Sequence, residues 1–497
     1  MGGEKLKKFL LLTISLILVL QITGCTKKNE IDTGTVVWRV AAGGNIENMT
    51  NEMIEVWQKP LNELLKEKKA SYQVKIIPFS NKKENKQIQD LKELKKNGEQ
   101  TDVITILPES QDYELTSWNN TYKHAVENKL LLDLDKWKEK NQKILEEVLT
   151  PYDFELSKID NRLYGISSNV PMTSGIMYQK ELLDKNGIDI IDIKSSVFEN
   201  SNLLTQVKDK INKIPLNNVY LDPGLWIVSP SDNLVWTKDK GFISLSKSRE
   251  YKDLLYQCIT LRQQGLLELE SVEESAVSFA ASFGRGISTR ATFKSLSASQ
   301  KEFIVVPDES KPDMNLYWGD NKTGIASWSE NNKNAEDFLL KLFTDKDIAN
   351  LIQYGIEGKD YQLDENNHVK VITDKLGLKI FGYQYTNPKI TYSSIYEEDD
   401  KIEYSNWFYS KYGEDFPKGF RFEAMPVIKD INIVNKVWNT YFDEQTATGL
   451  TNKLYMLDVK DIDVFLEDLN KTLDDAGMQK IVDEANRQYQ EWLKEAK

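Results

Sequence analysis

The strongest constraint on the fold is an alternation of apolar periods that begins at Val36. Val36-Val37-Trp38-Arg39-Val40 is a β-branched and aromatic run of the strand type. A turn-rich stretch, Ala41-Ala42-Gly43-Gly44-Asn45, follows it. Thr50 then stands at an N-cap position ahead of Met53, Ile54, Trp57, Leu61, Leu64 and Leu65, which share one face at helical spacing. Tyr72, Val74 and Ile76 alternate with polar residues as a half-buried strand does. A helix rich in lysine and glutamate comes next, then the strand Asp102-Val103-Ile104-Thr105-Ile106-Leu107. Strand, helix, strand, helix, strand in that order implies a parallel sheet, because parallel neighbours need a long crossover.

The pattern resumes at Ile304-Val305-Val306-Pro307 and again at Lys322-Thr323-Gly324-Ile325-Ala326. Asn334 is expected to cap a helix with Ala335, Phe338, Leu339 and Leu342 on one face. Ile462, Phe465, Leu466, Leus 469 and 473 form one helical stripe near the end. Ile481, Val482, Ala485, Tyr489 and Trp492 form another, with a break at Gly477. No internal repeat is visible. A chain of 497 residues exceeds what one ordinary core organises, so at least two lobes are expected.

Composition narrows the function. The chain has 77 acidic and 64 basic residues, a net charge of −13, which argues against nucleic acid as partner because phosphate binding needs a basic face. Two cysteines and two histidines leave no multi-cysteine zinc site and little for histidine-based catalysis. The lysines between Lys66 and Lys96 are interleaved with glutamates and read as solvated helix faces. Glu397-Glu398-Asp399-Asp400 lacks the Asx-Gly spacing of a calcium loop. HExxH, P-loop, GxSxG and CxxC motifs are absent, and Phe283-Gly284-Arg285-Gly286-Ile287 is a weak phosphate signal without a third glycine. The expectation is a binding protein with no cofactor, no metal and no catalytic residue. A glycoside hydrolase stays open as an alternative, since it needs only a suitably spaced carboxylate pair.

The N-terminus carries Lys5, Lys7 and Lys8 before an apolar run from Phe9 to Leu20, the pattern of a secretory signal. The run is shorter than the ~20 apolar residues of a membrane span. It ends in Gln21-Ile22-Thr23-Gly24-Cys25, which resembles a bacterial lipobox. That resemblance implies removal of residues 1–24 and acylation of Cys25 with lipid chains of the palmitate class. Residues 26–35 then read as a polar tether. Cys258 lies on an apolar helical face and is expected in the core, and His124 and His368 are expected at the surface.

Four further segments resemble the extracellular solute-binding proteins of ABC importers, family 1, the group that includes sugar receptors. The first is Tyr164-Gly165-Ile166 with Ser167, Ser168, Asn169, Val170 and Pro171, followed by Tyr178-Gln179-Lys180-Glu181-Leu182-Leu183 and Gly187-Ile188. The second is Leu130-Leu131-Leu132-Asp133-Leu134, and the third is Thr323-Gly324-Ile325-Ala326 leading to Phe338-Leu339. The fourth is Tyr354-Gly355-Ile356-Glu357-Gly358-Lys359-Asp360-Tyr361, similar to large Gram-positive receptor lipoproteins. The resemblance implies an α/β, two-lobed, periplasmic-binding-protein-like fold of type II, with hinge strands and a ligand cleft between the lobes. Its lobes would comprise 36–168 plus 304–365 and 169–303 plus 366–497. It also implies a monomer held at the extracytoplasmic face of the cell membrane by lipid, delivering a solute to an ABC permease.

Aromatic residues make up 10% of the chain, and an aromatic face stacks on the C–H face of a sugar while amides and carboxylates take the hydroxyls. A carbohydrate, in particular an oligosaccharide, is the leading expected ligand, with a peptide or other polar solute as the alternative. Candidate contacts lie in loops after strands, where α/β clefts form. They are Asn45 and Glu47 in the first loop, and Asn169, Thr173 and Ser174 at the crossover. Asp222 and Trp226 share one turn-rich segment; Tyr317, Trp318 and Asp320 share another. Arg290 is a candidate grip for a carboxylated sugar, and Glu357 completes the set.

Overall fold

The computed structural model describes residues 32–41, 51–79, 87–107, 121–168, 172–188, 196–212, 233–268, 277–284, 303–313, 321–372, 384–393, 399–413, 419–441 and 461–495, with a few short stretches between them. Two hydrophobic cores organise them. The first body is built on a four-stranded sheet in the order Lys322–Ile325, Val103–Ile106, Thr35–Val40, Gln73–Pro78. Thr35–Val40 runs parallel to both of its neighbours, as the alternating periods imply, and Lys322–Ile325 joins antiparallel. Trp38 sits fully buried at the centre, its indole Nε1 donating to Thr105 Oγ1 at 2.9 Å. Phe338 and Tyr385 meet its ring edge-on at 5.4 and 6.3 Å, an arrangement favoured by the ring quadrupoles.

The outer edge of this sheet is closed by side chains. Asn62, on the helix Asn51–Glu67, accepts from the Val74 amide at 2.6 Å and donates to the Val74 carbonyl at 2.9 Å. Gln58 accepts from the Ile76 amide at 2.8 Å. These two amides take the hydrogen bonds that another strand would otherwise make to the edge strand.

The second body holds a five-stranded sheet in the order Leu267–Glu268, Leu216–Asn217, Val277–Gly284, Met172–Gln179, Phe303–Asp313. A three-stranded antiparallel sheet, Trp226–Ser229, Leu234–Thr237 and Gly241–Ser244, accompanies it. The helices Arg249–Gln263, Ile428–Tyr441, Ile462–Asp475 and Met478–Glu495 complete this core. Cys258 is buried there, as its apolar helical surroundings predict.

Phe303–Asp313 pairs along Met172–Gln179 and so lies in the second sheet. One expectation is corrected. The helix expected to start at Asn334 begins at Asn332, with Asn331 at the N-cap position. Asn334 instead donates to the Thr33 carbonyl and to Asn331 Oδ1, tying the helix start to the first strand. Thr50 lies outside the described residues.

Three of the four sequence segments that carry the family resemblance meet around the strand Lys322–Ile325. Ile166 and Thr323 exchange two backbone hydrogen bonds of 2.8 Å. Leu132 donates to the Ile325 carbonyl, Ser327 to Leu130, and Leu134 to Leu163. Gly324 allows this approach, because a Cβ there would lie 2.4 Å from the Tyr164 carbonyl oxygen and 3.5 Å from the Gly165 Cα. Gly324→Ala is therefore expected to separate these backbones and to cost about 1–3 kcal/mol, the range for overpacking. A chemical-denaturation comparison checks it, and an unchanged midpoint would contradict the close approach.

Candidate functional site

The chain crosses from the first body to the second between Ile166 and Met172, and residues 384–393 and 399–413 contact that crossing. The first of these stretches is tied to the first core. Tyr385 donates through its hydroxyl to the Ala41 carbonyl at 2.6 Å, and Thr386 to Leu342 at 2.5 Å. Asn387 donates to the carbonyls of Val148 and Phe343, each at 3.0 Å, and accepts from Ser168 Oγ at 2.6 Å.

Lys389 is the electrostatic centre of this junction. Its side chain has no solvent exposure, and Nζ donates to both oxygens of Asp153 at 2.7 and 2.8 Å and to Ser168 Oγ at 3.1 Å. Burial holds the Lys389 ammonium below its usual range, and the Asp153 charge acts against that shift. Asp153 also accepts from the Thr150 amide and hydroxyl, closing a capping box on the short helix Pro151–Glu155. A second buried lysine, Lys401, donates to the carbonyls of Thr391 and Tyr392 at 2.9 and 3.1 Å. It fixes the loop ahead of the helix Lys401–Tyr412.

That helix brings an aromatic group to the crossing. Tyr404 and Phe408 pack on Val170, and Tyr409 stacks on Tyr152 with ring centroids 4.6 Å apart. Burial pushes the Tyr409 phenol well above its ordinary range, so it is a neutral hydrogen-bonding group at physiological pH. Trp407 remains 38% exposed, stacked on Tyr404 at 5.6 Å, with the Lys411 ammonium 4.9 Å from its ring centroid. A flat, partly exposed indole stiffened from beneath by another ring is suited to stacking on a sugar. This helix is not among the elements expected from sequence to line a site, since its aromatic residues fall on buried and exposed positions alike.

Thr173 and Ser174 lie on the interior strand Met172–Gln179, between Val277–Gly284 and Phe303–Asp313. Both neighbouring strands lose register at that point, one between Ala280 and Phe283 and the other between Pro307 and Pro312. Irregular ladders on both sides of one position are a device by which sheets re-aim side chains near sites. Trp226 opens the strand Trp226–Ser229, at the edge of its three-stranded sheet. The side chains of Thr173, Ser174 and Trp226 lie outside the described residues, as do Cys25, Asn45, Glu47, Asn169, Asp222, Arg290, Tyr317, Trp318 and Asp320 altogether.

Glu357 is exposed, in the turn after the helix Lys346–Tyr354. This turn explains its motif. Gly355 and Gly358 take positive φ values of 92° and 76°, and Asp360 Oδ2 accepts from the Ile356 amide at 2.8 Å. Burial, then the nearby Glu357 charge, pushes the Tyr361 phenol up to about 12. The two histidines are partly exposed: His124 lies against Glu423, and His368 lies near Asp364 and Asp399. Among the described residues, no cluster of histidine, cysteine or carboxylate side chains could hold a metal ion, and no helix is long and apolar enough to cross a membrane.

Two α/β bodies joined by paired crossing segments are the fold of the two-domain extracellular solute-binding proteins. The chain is 23% identical over 443 residues, 80% of its own length and 83% of the relative's, to a protein of Streptococcus pneumoniae serotype 4 (strain ATCC BAA-334 / TIGR4) named carbohydrate ABC transporter substrate-binding protein. It superposes on the crystal structure of the N-glycan transport solute binding protein NgtS from Streptococcus pneumoniae with a TM-score of 0.64, at 17% identity, covering 93% of this chain and all of that one. Against NgtS in complex with Man5GlcNAc the TM-score is 0.54, at 18% identity and 93% and 99% coverage. Residues 417–494 match a family described as "Domain of unknown function (DUF3502)".

Removing one partner of the buried pair isolates the other in a low-dielectric site. Lys389→Ala is expected to destabilise the protein by roughly 3–5 kcal/mol. The double change Lys389→Met with Asp153→Asn should recover part of this loss, because the amide keeps an acceptor for Thr150. Thermal melts of both variants decide it, and a Lys389→Ala protein as stable as the parent would remove the pair from its central role.

Proposed function

We propose that this chain is the substrate-binding protein of an ABC importer, capturing an oligosaccharide between its two bodies outside the cell and delivering it to the permease. The observation that carries this reading is the relationship, across four-fifths of the chain, to a protein named for that role. The glycan complexes of a protein of the same fold support the ligand class. The half-exposed Trp407 beside the crossing supports it physically, since a sugar's C–H face and an indole are complementary.

In this reading the first lobe holds residues 36–168 and those from 321 to about 393, and the second holds most of the rest. Thr173, Ser174, Trp226 and the loop residues Asn45, Glu47, Asn169, Asp222, Arg290, Tyr317, Trp318 and Asp320 are the proposed sugar contacts, with Trp407 added. Glu357 is the weakest of the set, its motif being accounted for by the turn it forms. Cys25 is the proposed lipid attachment, which would hold a monomeric receptor at the extracytoplasmic membrane face. Two acyl chains supply stable anchoring where one is marginal.

The test is a thermal-shift and calorimetric panel of mono- and oligosaccharides, Man5GlcNAc included, together with peptides. A ligand at 100 times its Kd adds about 2.7 kcal/mol of stability. Stabilisation by an oligosaccharide supports the reading; a response to peptides with none to any sugar overturns it. Trp407→Ala is expected to weaken sugar binding roughly tenfold, about 1.4 kcal/mol, while leaving the unliganded melting temperature nearly unchanged. Unaltered affinity would remove Trp407 from the site and leave the receptor reading standing.

A further inference from the structure

The segment Phe420–Ala424 opens the region that matches DUF3502, and it has two faces. Phe420, Phe422 and Ala424 are buried in the second core. The alternate residues, Arg421 and Glu423, turn toward the first body. Arg421 Nη2 donates to the Leu156 carbonyl at 3.1 Å, and its guanidinium lies 5.5 Å from the ring centroid of Tyr122. Tyr122 is fully buried in the first core and donates to the Ser157 carbonyl at 2.7 Å. Glu423 Oε2 lies 3.1 Å from His124 Nε2, on the helix Thr121–Glu127 of the first body.

The segment is held from behind. Gln488, on the helix Met478–Glu495, accepts from the Glu423 amide at 2.8 Å and donates to the Glu423 carbonyl at 2.9 Å. A motion of the first body relative to this helix therefore acts on the His124–Glu423 and Arg421–Leu156 contacts, while the backbone of the segment follows the second body. Of these contacts, His124–Glu423 is the one whose charge changes near neutral pH.

We propose that Phe420–Ala424 is a clasp between the two bodies, strengthened when His124 is protonated and loosened when it is neutral. The charges around the pair favour this. The hydrogen bond with Glu423 raises the His124 pKa above 6.5, burial acts against it, Glu127 adds to the rise and Lys123 subtracts from it. Glu423 is lifted by burial but held below its usual range on balance by His124, the Met425 amide and Lys123. Arg421 faces the same helix through Tyr122. Glu484, behind Gln488, is engaged by Arg487 and by Gln488 itself. A histidine whose pKa is raised in one arrangement stabilises that arrangement fully below its ordinary pKa. The stabilisation is lost as pH rises through the raised value.

This inference needs no ligand, so its failure is separate from failure of the receptor reading. Histidine-labelled NMR should find His124, one of two histidines in the chain, titrating above 6.5, with Glu423→Gln lowering its midpoint. Spin labels at Lys66→Cys and Lys471→Cys report the distance between the bodies. In the parent the distance distribution should change between pH 6 and pH 9; in Glu423→Gln and His124→Gln that pH dependence should be lost. A His124 midpoint unaffected by Glu423→Gln, or the same pH response in parent and both variants, overturns the proposal. Circular dichroism establishes that each variant is folded, and Glu423→Gln keeps the shape of the native side chain.

Discussion

The architecture depends on a charge placed where water cannot reach it. Lys389 is fully buried, and an ammonium there is tolerable only with a carboxylate and further acceptors in place. Asp153 and Ser168 meet that demand, and each belongs to a different stretch of chain. Asp153 in turn closes the cap of Pro151–Glu155, and Ser168 stands at the threshold of the crossing into the second body. The pair thus fixes, at one point, the helix before the crossing, the crossing itself and the segment that contacts it. Geometry of this kind specifies an arrangement more than it adds stability, since a well-packed apolar replacement could be equally stable.

Around that point, rigidity and adaptability are divided between the elements. Tyr385, Thr386 and Asn387 anchor that segment to carbonyls of the first core. The helix Lys401–Tyr412 then leans an aromatic group on Val170, at the crossing itself. On the other side, the strand Met172–Gln179 of the second sheet meets irregular ladders on both flanks at Ser174. A tied crossing, a ring platform packed on it and an irregular sheet just beyond it thus meet where the two bodies join, and a two-bodied receptor needs all three.

Much of the first body was legible in the sequence because its strands and helices have unmixed periods. Val36 to Val40 and Val103 to Ile106 are mostly apolar and buried throughout, as strands covered on both faces are, and they pair in the same sheet. Gly165 and Gly324 were visible as motif residues, but their reason, one backbone lying against another, is long-range and appears only in three dimensions. The pairing of Phe303–Asp313 was not legible, because a strand's sequence says little about which sheet receives it. Trp407 was missed because its helix buries and exposes aromatic residues together, which leaves no clean amphipathic face to single out. The His124–Glu423 contact joins residues 299 apart, and no local pattern could announce it.

The sealed edge of the first sheet bears on how many copies can live side by side. Asn62 and Gln58 already satisfy the outward amides of Val74 and Ile76, and they ride on a helix packed into the same core. An approaching strand from a neighbour would have to displace these side chains before gaining a hydrogen bond in return. When copies crowd against one another, this edge therefore offers no easy seam for growing a shared sheet. Copies of the chain can be dense there without stitching together.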